Sequence, residues 1–127
     1  MEYLRKTPMA NIKQSMDELM TIDGALCAAL VDSGSGMILG QIGSGVDLEV
    51  AAAGNTEVVR AKHKTMRALG LNDVIEDILI TLGRQYHIIR PLQKHEGLFI
   101  YLVLDKSKSN LALARRKTQD VEQTLAV

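Results

Sequence analysis

The residues of this chain that could carry chemistry are few and scattered. Cys27 stands inside an apolar run, Ala25-Leu26-Cys27-Ala28-Ala29-Leu30-Val31, with no basic neighbour in sequence to stabilise a thiolate. It reads as a buried structural thiol rather than a nucleophile. His63, His87 and His95 lie far apart and lack the spacing of a zinc pair, such as two histidines on one helical face. Asp73, Glu76 and Asp77 cluster just before an aliphatic run. Paired carboxylates can do acid–base work, but these read as solvated loop and edge residues, where charge also discourages unwanted strand pairing. Gly34-Ser35-Gly36 lacks the following helix and the lysine of a phosphate loop. Gly43-Ser44-Gly45 does precede a helix, whose N-terminal amides could bind an anion, yet Asp47 and Glu49 put negative charge there instead. No nucleophile, base and oxyanion donor assemble from these residues. The sequence therefore predicts no catalytic, metal or cofactor residues.

One charged group remains. Arg60, His63, Lys64 and Arg67 recur at mostly helical spacing. Such a set is ordinarily a solvated face; its sharper reading is a docking surface for an acidic partner.

These residues must be positioned by helices and strands that the apolar pattern places. From Asp73 to Asp105 three strands follow one another: Asp77 to Leu82, Tyr86 to Leu92, and Leu98 to Leu104. The run from Leu98 is apolar without a break, which predicts a central strand covered on both faces, whereas the run from Tyr86 reads as half exposed. Short polar loops between them predict an antiparallel meander. Ala25 to Val31 is another unbroken run and hence another central strand, and the Asp32-Ser33-Gly34-Ser35-Gly36 turn returns Met37 to Ile42 as its hairpin partner. The two continuous runs belong side by side in mid-sheet, with the hairpin partner toward one edge and the run from Asp77 toward the other.

Three helices complete the chain. Thr7-Pro8 reads as the start of the first, along which Met9, Ile12, Met16, Leu19 and Met20 form an apolar stripe. Ser107 to Ser109 read as the cap of the last, in which Leu111, Ala114, Thr118, Val121 and Leu125 share one side. Val46 to Leu69 is the longest, and its apolar residues fall into two stripes. Leu48, Ala52, Val59 and Met66 make one; Val50, Ala51, Gly54, Val58, Ala61 and Ala68 make the other. Glu49, Thr56, Arg60, His63, Lys64 and Arg67 fall on the remaining face. A helix covering one sheet needs an apolar arc of only about 100°. Two stripes imply two partners, and another copy of the chain is the economical choice for the extra one.

At 127 residues the chain suits a single domain, 1–127, able to build a core without disulfides or metal. Its 15 acidic and 15 basic residues balance, and with no Trp and one Phe it offers little to nucleic acid. Neither a signal-like core at Met1 to Lys6 nor a run of bilayer length is present, so the cytoplasm is the expected compartment and membrane insertion is not expected.

The order helix-strand-strand-helix-strand-strand-strand-helix, with these residues, resembles the Roadblock/dynein light chain superfamily. The likeness rests on Ile22-Asp23-Gly24 after the first helix, the small-residue strand closing on Asp32, and Asp47 with Ala51-Ala52-Ala53. Ile78 to Gly83 followed by Tyr86 to Leu92 is most similar to the bacterial and archaeal members, and Leu98 to Leu104 leading into Ser109 to Arg115 completes the match. The resemblance implies an α+β fold, profilin/roadblock-like: a five-stranded antiparallel sheet with the long helix on one face and the terminal helices on the other. It also implies a homodimer that pairs the long helices and neighbouring edge strands, which places Val50, Gly54, Val58, Ala61, Ile78 and Ile80 at the interface. It further implies a non-catalytic adaptor or regulator of a small Ras-like GTPase, docked through Arg60, His63, Lys64 and Arg67. The alternative is a small-ligand sensory domain of similar architecture, against which stands the lack of an aromatic-lined cavity. Pro91 cannot donate to a ladder, so it is expected where its strand ends.

Overall fold

The computed structural model describes residues 9–127. In chain order the elements are α1 (Ile12–Leu19), β1 (Ala25–Asp32), β2 (Met37–Gly43), α2 (Leu48–Ala68), β3 (Ile78–Thr81), β4 (Gln85–Pro91), β5 (Leu98–Asp105) and α3 (Leu111–Thr124). The five strands form one antiparallel sheet in the order β2-β1-β5-β4-β3. The two continuous apolar runs, β1 and β5, are indeed central neighbours, paired from Ala25↔Leu104 to Asp32↔Leu98. Alternate residues of these strands enter two cores. Ala28, Leu30, Ile88, Ile100, Leu102 and Leu104 meet α1 and α3 on one face. Cys27, Ala29, Val31, Ile89, Phe99 and Val103 meet α2 on the other. The long helix and the terminal helices thus take opposite faces, as expected.

Three details differ from the sequence reading. Thr7-Pro8 lies outside the described residues, and α1 begins only at Ile12. There Asn11 accepts from the Gln14 amide at 2.8 Å while the Gln14 side chain accepts from the Asn11 amide at 2.9 Å, a reciprocal cap. Met9 precedes that cap and is exposed; neighbouring Ala10 is instead bridged to Leu125 at the end of α3. At the other end Ser107 lies in a short 3-10 turn, Lys106–Lys108, while Asn110 caps α3 by accepting from the Leu113 amide. Third, β4 is half exposed only in part: Gln85, Tyr86 and His87 are partly buried, but Ile88, Ile89 and Arg90 are buried in succession, with Ile88 in one core and Ile89 in the other. Pro91 does stand at the end of β4, opposite Phe99, where its missing N–H interrupts nothing.

Gly43 controls the passage from sheet to long helix. It sits at φ +80°, and a β-carbon there would run into the Leu26 carbonyl oxygen and lie 2.8 Å from the Cys27 α-carbon. Both obstacles are backbone of a buried strand, so neither can yield cheaply. Gly43→Ala is expected to cost about 2 kcal/mol or more, read as a lowered urea midpoint with unchanged slope. A change below about 0.5 kcal/mol would show that the β2 end relaxes freely.

Candidate functional site

The stripe of α2 with the larger side chains is the one that covers the sheet. Leu48, Ala52, Val59 and Met66 are all buried, and Asp47 caps the helix by accepting from the Glu49 and Val50 amides at 3.1 and 3.2 Å. Thr56, read from sequence as part of the polar face, is buried in this stripe too. Its hydroxyl donates to the Ala52 carbonyl at 2.7 Å, which satisfies it within the helix and makes burial tolerable.

Apart from Ala51, which packs against the core beneath α2, the described residues leave the other stripe largely uncovered. Val50 is 68% exposed and Val58 37%, and Gly54, Ala61 and Ala68 are exposed as well. A β-carbon built on Gly54 would meet nothing within 4 Å. That detail is informative. Glycine in a helix interior costs about 1 kcal/mol relative to alanine, and no packing among the described residues requires the gap.

Beyond this stripe the surface continues as a groove of about 920 Å³ between α2 and the segment 71–78 that leads into β3. Val58, Ala61, Leu71, Val74 and Ile78 form its apolar walls. Lys62 stands on one rim; Asp73 and Glu76 stand on the other. Asp77 is not the solvated residue expected from sequence. Its carboxylate pairs with the Arg115 guanidinium at 2.8 Å and is only 10% exposed, an arrangement that raises the Arg115 pKa. β3 has four residues and is an edge strand; among the described residues nothing pairs with its outer side. Ile78 and Ile80 are half-buried and point to the α2 side of the sheet. Val50, Gly54, Val58, Ala61, Ile78 and Ile80 therefore lie on the helix and strand that border one open flank of the molecule.

The four basic residues are not equivalent. Arg60 donates through one guanidinium nitrogen to the Ser33 and Gly34 carbonyls, both at 2.8 Å, and approaches Glu57 at 3.5 Å. It fastens the β1–β2 turn to α2 and is occupied by its own chain. His63 is half-buried in a small cleft beside Ser33, Gly97 and Phe99. Lys64 and Arg67 are exposed. The basic face thus reduces to Lys64 and Arg67, with Arg60 contributing what its turn contacts leave.

Two polar clusters escaped the sequence reading. Arg90, 10% exposed, pairs with Glu122, 1% exposed, at 2.8 Å, and also donates to the Glu76 carbonyl. The other Glu122 oxygen accepts from the backbone amides of Gln93 and Lys94. The signal was present: Glu122 stands four residues after Thr118 and three before Leu125, hence on the apolar side of α3. The other cluster joins Tyr101, His87 and Gln85. The Tyr101 hydroxyl lies 3.0 Å from His87 Nδ1, and His87 Nε2 lies 2.8 Å from the Gln85 side-chain oxygen. Burial pushes the Tyr101 phenol up to about 12 and lowers the His87 pKa. Cys27 is buried and its pKa is raised by burial, the opposite of what a reactive thiol needs. Among the described residues, no group of three or more metal-ligating side chains converges, and no helix is long and apolar enough to cross a membrane.

No family model and no curated protein matches the sequence. Solved structures match the fold. A Roadblock/LC7 domain from Streptomyces avermitilis superposes with a TM-score of 0.77 over 90% of this chain and 93% of its own, at 11% identity. This chain has the Roadblock/LC7 fold. Myxococcus xanthus MglB is similar at a TM-score of 0.76 and 16% identity, covering 87% of this chain and 88% of its own. MglB in a tetrameric arrangement is similar at 0.75 and 16%, covering 87% and 82%. Against the expectations of a Roadblock-type sheet with one long helix opposed to two terminal ones, the agreement extends over nearly the whole described chain.

Proposed function

We propose that this Roadblock-type chain is a non-catalytic homodimeric adaptor that binds a small Ras-like GTPase and modulates its activity or localisation. Gly54 carries the first half of the reading: a residue without a side chain, in mid-helix, amid an exposed apolar stripe, with nothing among the described residues within 4 Å of where its β-carbon would stand. Another copy laid against the stripe explains both the missing side chain and the bare valines, because small residues permit two helices to approach closely. The edge of β3 borders the same flank, so pairing of edge strands extends the sheet while the helices meet. The self-assembly of MglB into a tetrameric arrangement supports self-association for a protein of this fold.

The GTPase half rests on the resemblance of the sequence and on the exposed cations Lys64 and Arg67. The adaptor acts by binding and by reshaping its partner's active site. The test is capture of purified small GTPases, loaded with GDP or with a GTP analogue, by the immobilised protein. Lys64→Glu combined with Arg67→Glu is expected to weaken capture by about 100-fold and to reduce its salt dependence, while mass and thermal stability stay unchanged. Capture indifferent to the double reversal would remove the basic face from the account. Absence of capture for every GTPase would remove the GTPase itself.

A further inference from the structure

The cluster of Tyr101, His87 and Gln85 lies on the α2 side of the sheet, where the α2 backbone runs nearest β1 and β2. His87 stands on β4, one strand in from the free edge, opposite Ile80 of β3 and Val103 of β5. It is half-buried, and the half left open faces the flank that holds Ile78, Ile80 and the groove. We propose that His87 is a proton-sensitive element of the self-association surface: its imidazole must be neutral for another copy to close over this flank, so acidification weakens the dimer. The inference rests on the dimer reading above.

The neutral imidazole satisfies both contacts. With the Gln85 side-chain oxygen as acceptor, Nε2 carries the hydrogen, and Nδ1 is left to accept the Tyr101 hydroxyl. The rings meet edge to face, with centroids 5.5 Å apart and planes at 83°. Protonation places a hydrogen on Nδ1, so that the Tyr101 oxygen becomes the acceptor and its hydroxyl must turn away from the ring. Among the described residues no carboxylate forms an ion pair with the His87 ring. From β5 it meets Tyr101, whose phenol stays neutral, while Asp105, opposite Gln85, accepts from the Ser107 amide and hydroxyl; from β3 it meets Ile80, and from its own strand Gln85. From β1, Cys27 faces Tyr101, and burial keeps that thiol protonated. On α2, Lys62 at the groove is another cation. A partner lying over this flank removes water from the imidazole and adds to the cost of charging it.

The sign follows from linkage. The His87 pKa is already lowered by burial in the single chain, and closure by another copy lowers it further. Dimer stability is therefore complete above the single-chain pKa and is lost as pH falls through the dimer value, which lies below the usual 6.5. One unit of further lowering per subunit corresponds to about tenfold in the dimer dissociation constant, or about 100-fold for the pair.

Sedimentation measurements of the dissociation constant at about pH 7.5 and about pH 5.5, on the wild type and on His87→Gln, test this. Glutamine keeps hydrogen-bonding capacity without titrating. The expected result is a wild-type constant that rises about 10- to 100-fold on acidification and a variant constant that stays within about threefold. A wild-type constant independent of pH overturns the inference while leaving the dimer intact; an equal rise in the variant overturns it by moving the effect to another group. A wild type that is monomeric throughout overturns the dimer reading and this inference with it. Should His87→Gln not fold, NMR titration of the His87 ring in wild-type protein above and below the dissociation constant reads the same coupling. A lower pKa in the dimer is expected, and identical values overturn the inference.

Discussion

Replacing Glu122 by alanine is expected to lower the free energy of unfolding by about 3–5 kcal/mol and the melting temperature by roughly 10–25 °C. The expected loss is large because of what stays behind. The Arg90 guanidinium remains buried between α3 and the sheet with one hydrogen bond to the Glu76 carbonyl, and the Gln93 and Lys94 amides lose their common acceptor. An uncompensated buried cation and two orphaned donors cost far more than the ion pair contributes when whole. The double replacement Arg90→Met with Glu122→Leu, which removes charge from both sides, is expected to recover most of the loss. Chemical denaturation of the three proteins decides the matter. A single-variant effect below about 1 kcal/mol, or a double variant no better than Glu122→Ala, would show that water reaches the pair. The network also reaches function. Arg90 and Gln93 hold the carbonyls of Glu76 and Ile75, and those residues wall the groove beside α2. A protein lacking Glu122 should therefore associate less tightly than its residual stability alone would suggest.

The other large effect concerns α2. Val58→Glu or Gly54→Arg is expected to weaken the dimer by at least about 100-fold, leaving a species of 13.9 kDa by light scattering at micromolar concentration where the wild type shows twice that mass. Each substitution enters a symmetric seam twice, so a single change places two charges where water is excluded. Neither change should harm the subunit. Gly54 has open space around it and Val58 is already partly exposed. Arginine is also a far better helix former than glycine, by roughly 0.8 kcal/mol, so the monomeric Gly54→Arg chain should resist unfolding at least as well as the wild-type subunit. That opposition, association lost and subunit stability kept, separates an interface from a core. A wild type with the mass of one chain, or a Gly54→Arg dimer of unchanged strength, would end the account of the bare stripe.

Several features were legible in the amino-acid order, because they depend on period and turn chemistry alone. Ala25 to Val31 and Leu98 to Leu104 are apolar on both faces, which only mid-sheet positions satisfy, and they are β1 and β5. The two stripes of α2 were countable on a wheel, and the stripe with larger side chains proved to be the covered one. Local rules also overreached. Thr56 counts as polar on that wheel, but a hydroxyl that bonds to the carbonyl four residues back becomes compatible with burial, as it does at Thr118 of α3. Asp77 had the marks of a solvated residue until α3 supplied Arg115, 38 residues away.

The sequence by itself determined the elements, their order in the sheet and the excess of apolar surface on the long helix. Only the tertiary structure decided which stripe was left bare. It also took Arg60 from the docking face by placing the Ser33 and Gly34 carbonyls within reach, joined Arg90 to Glu122, and set His87 against Tyr101 beside the open flank. The reason is physical. Periodicity records the environment of a residue along one element, whereas hydrogen bonds and ion pairs join residues tens of positions apart, and their partners become known only when the chain has closed.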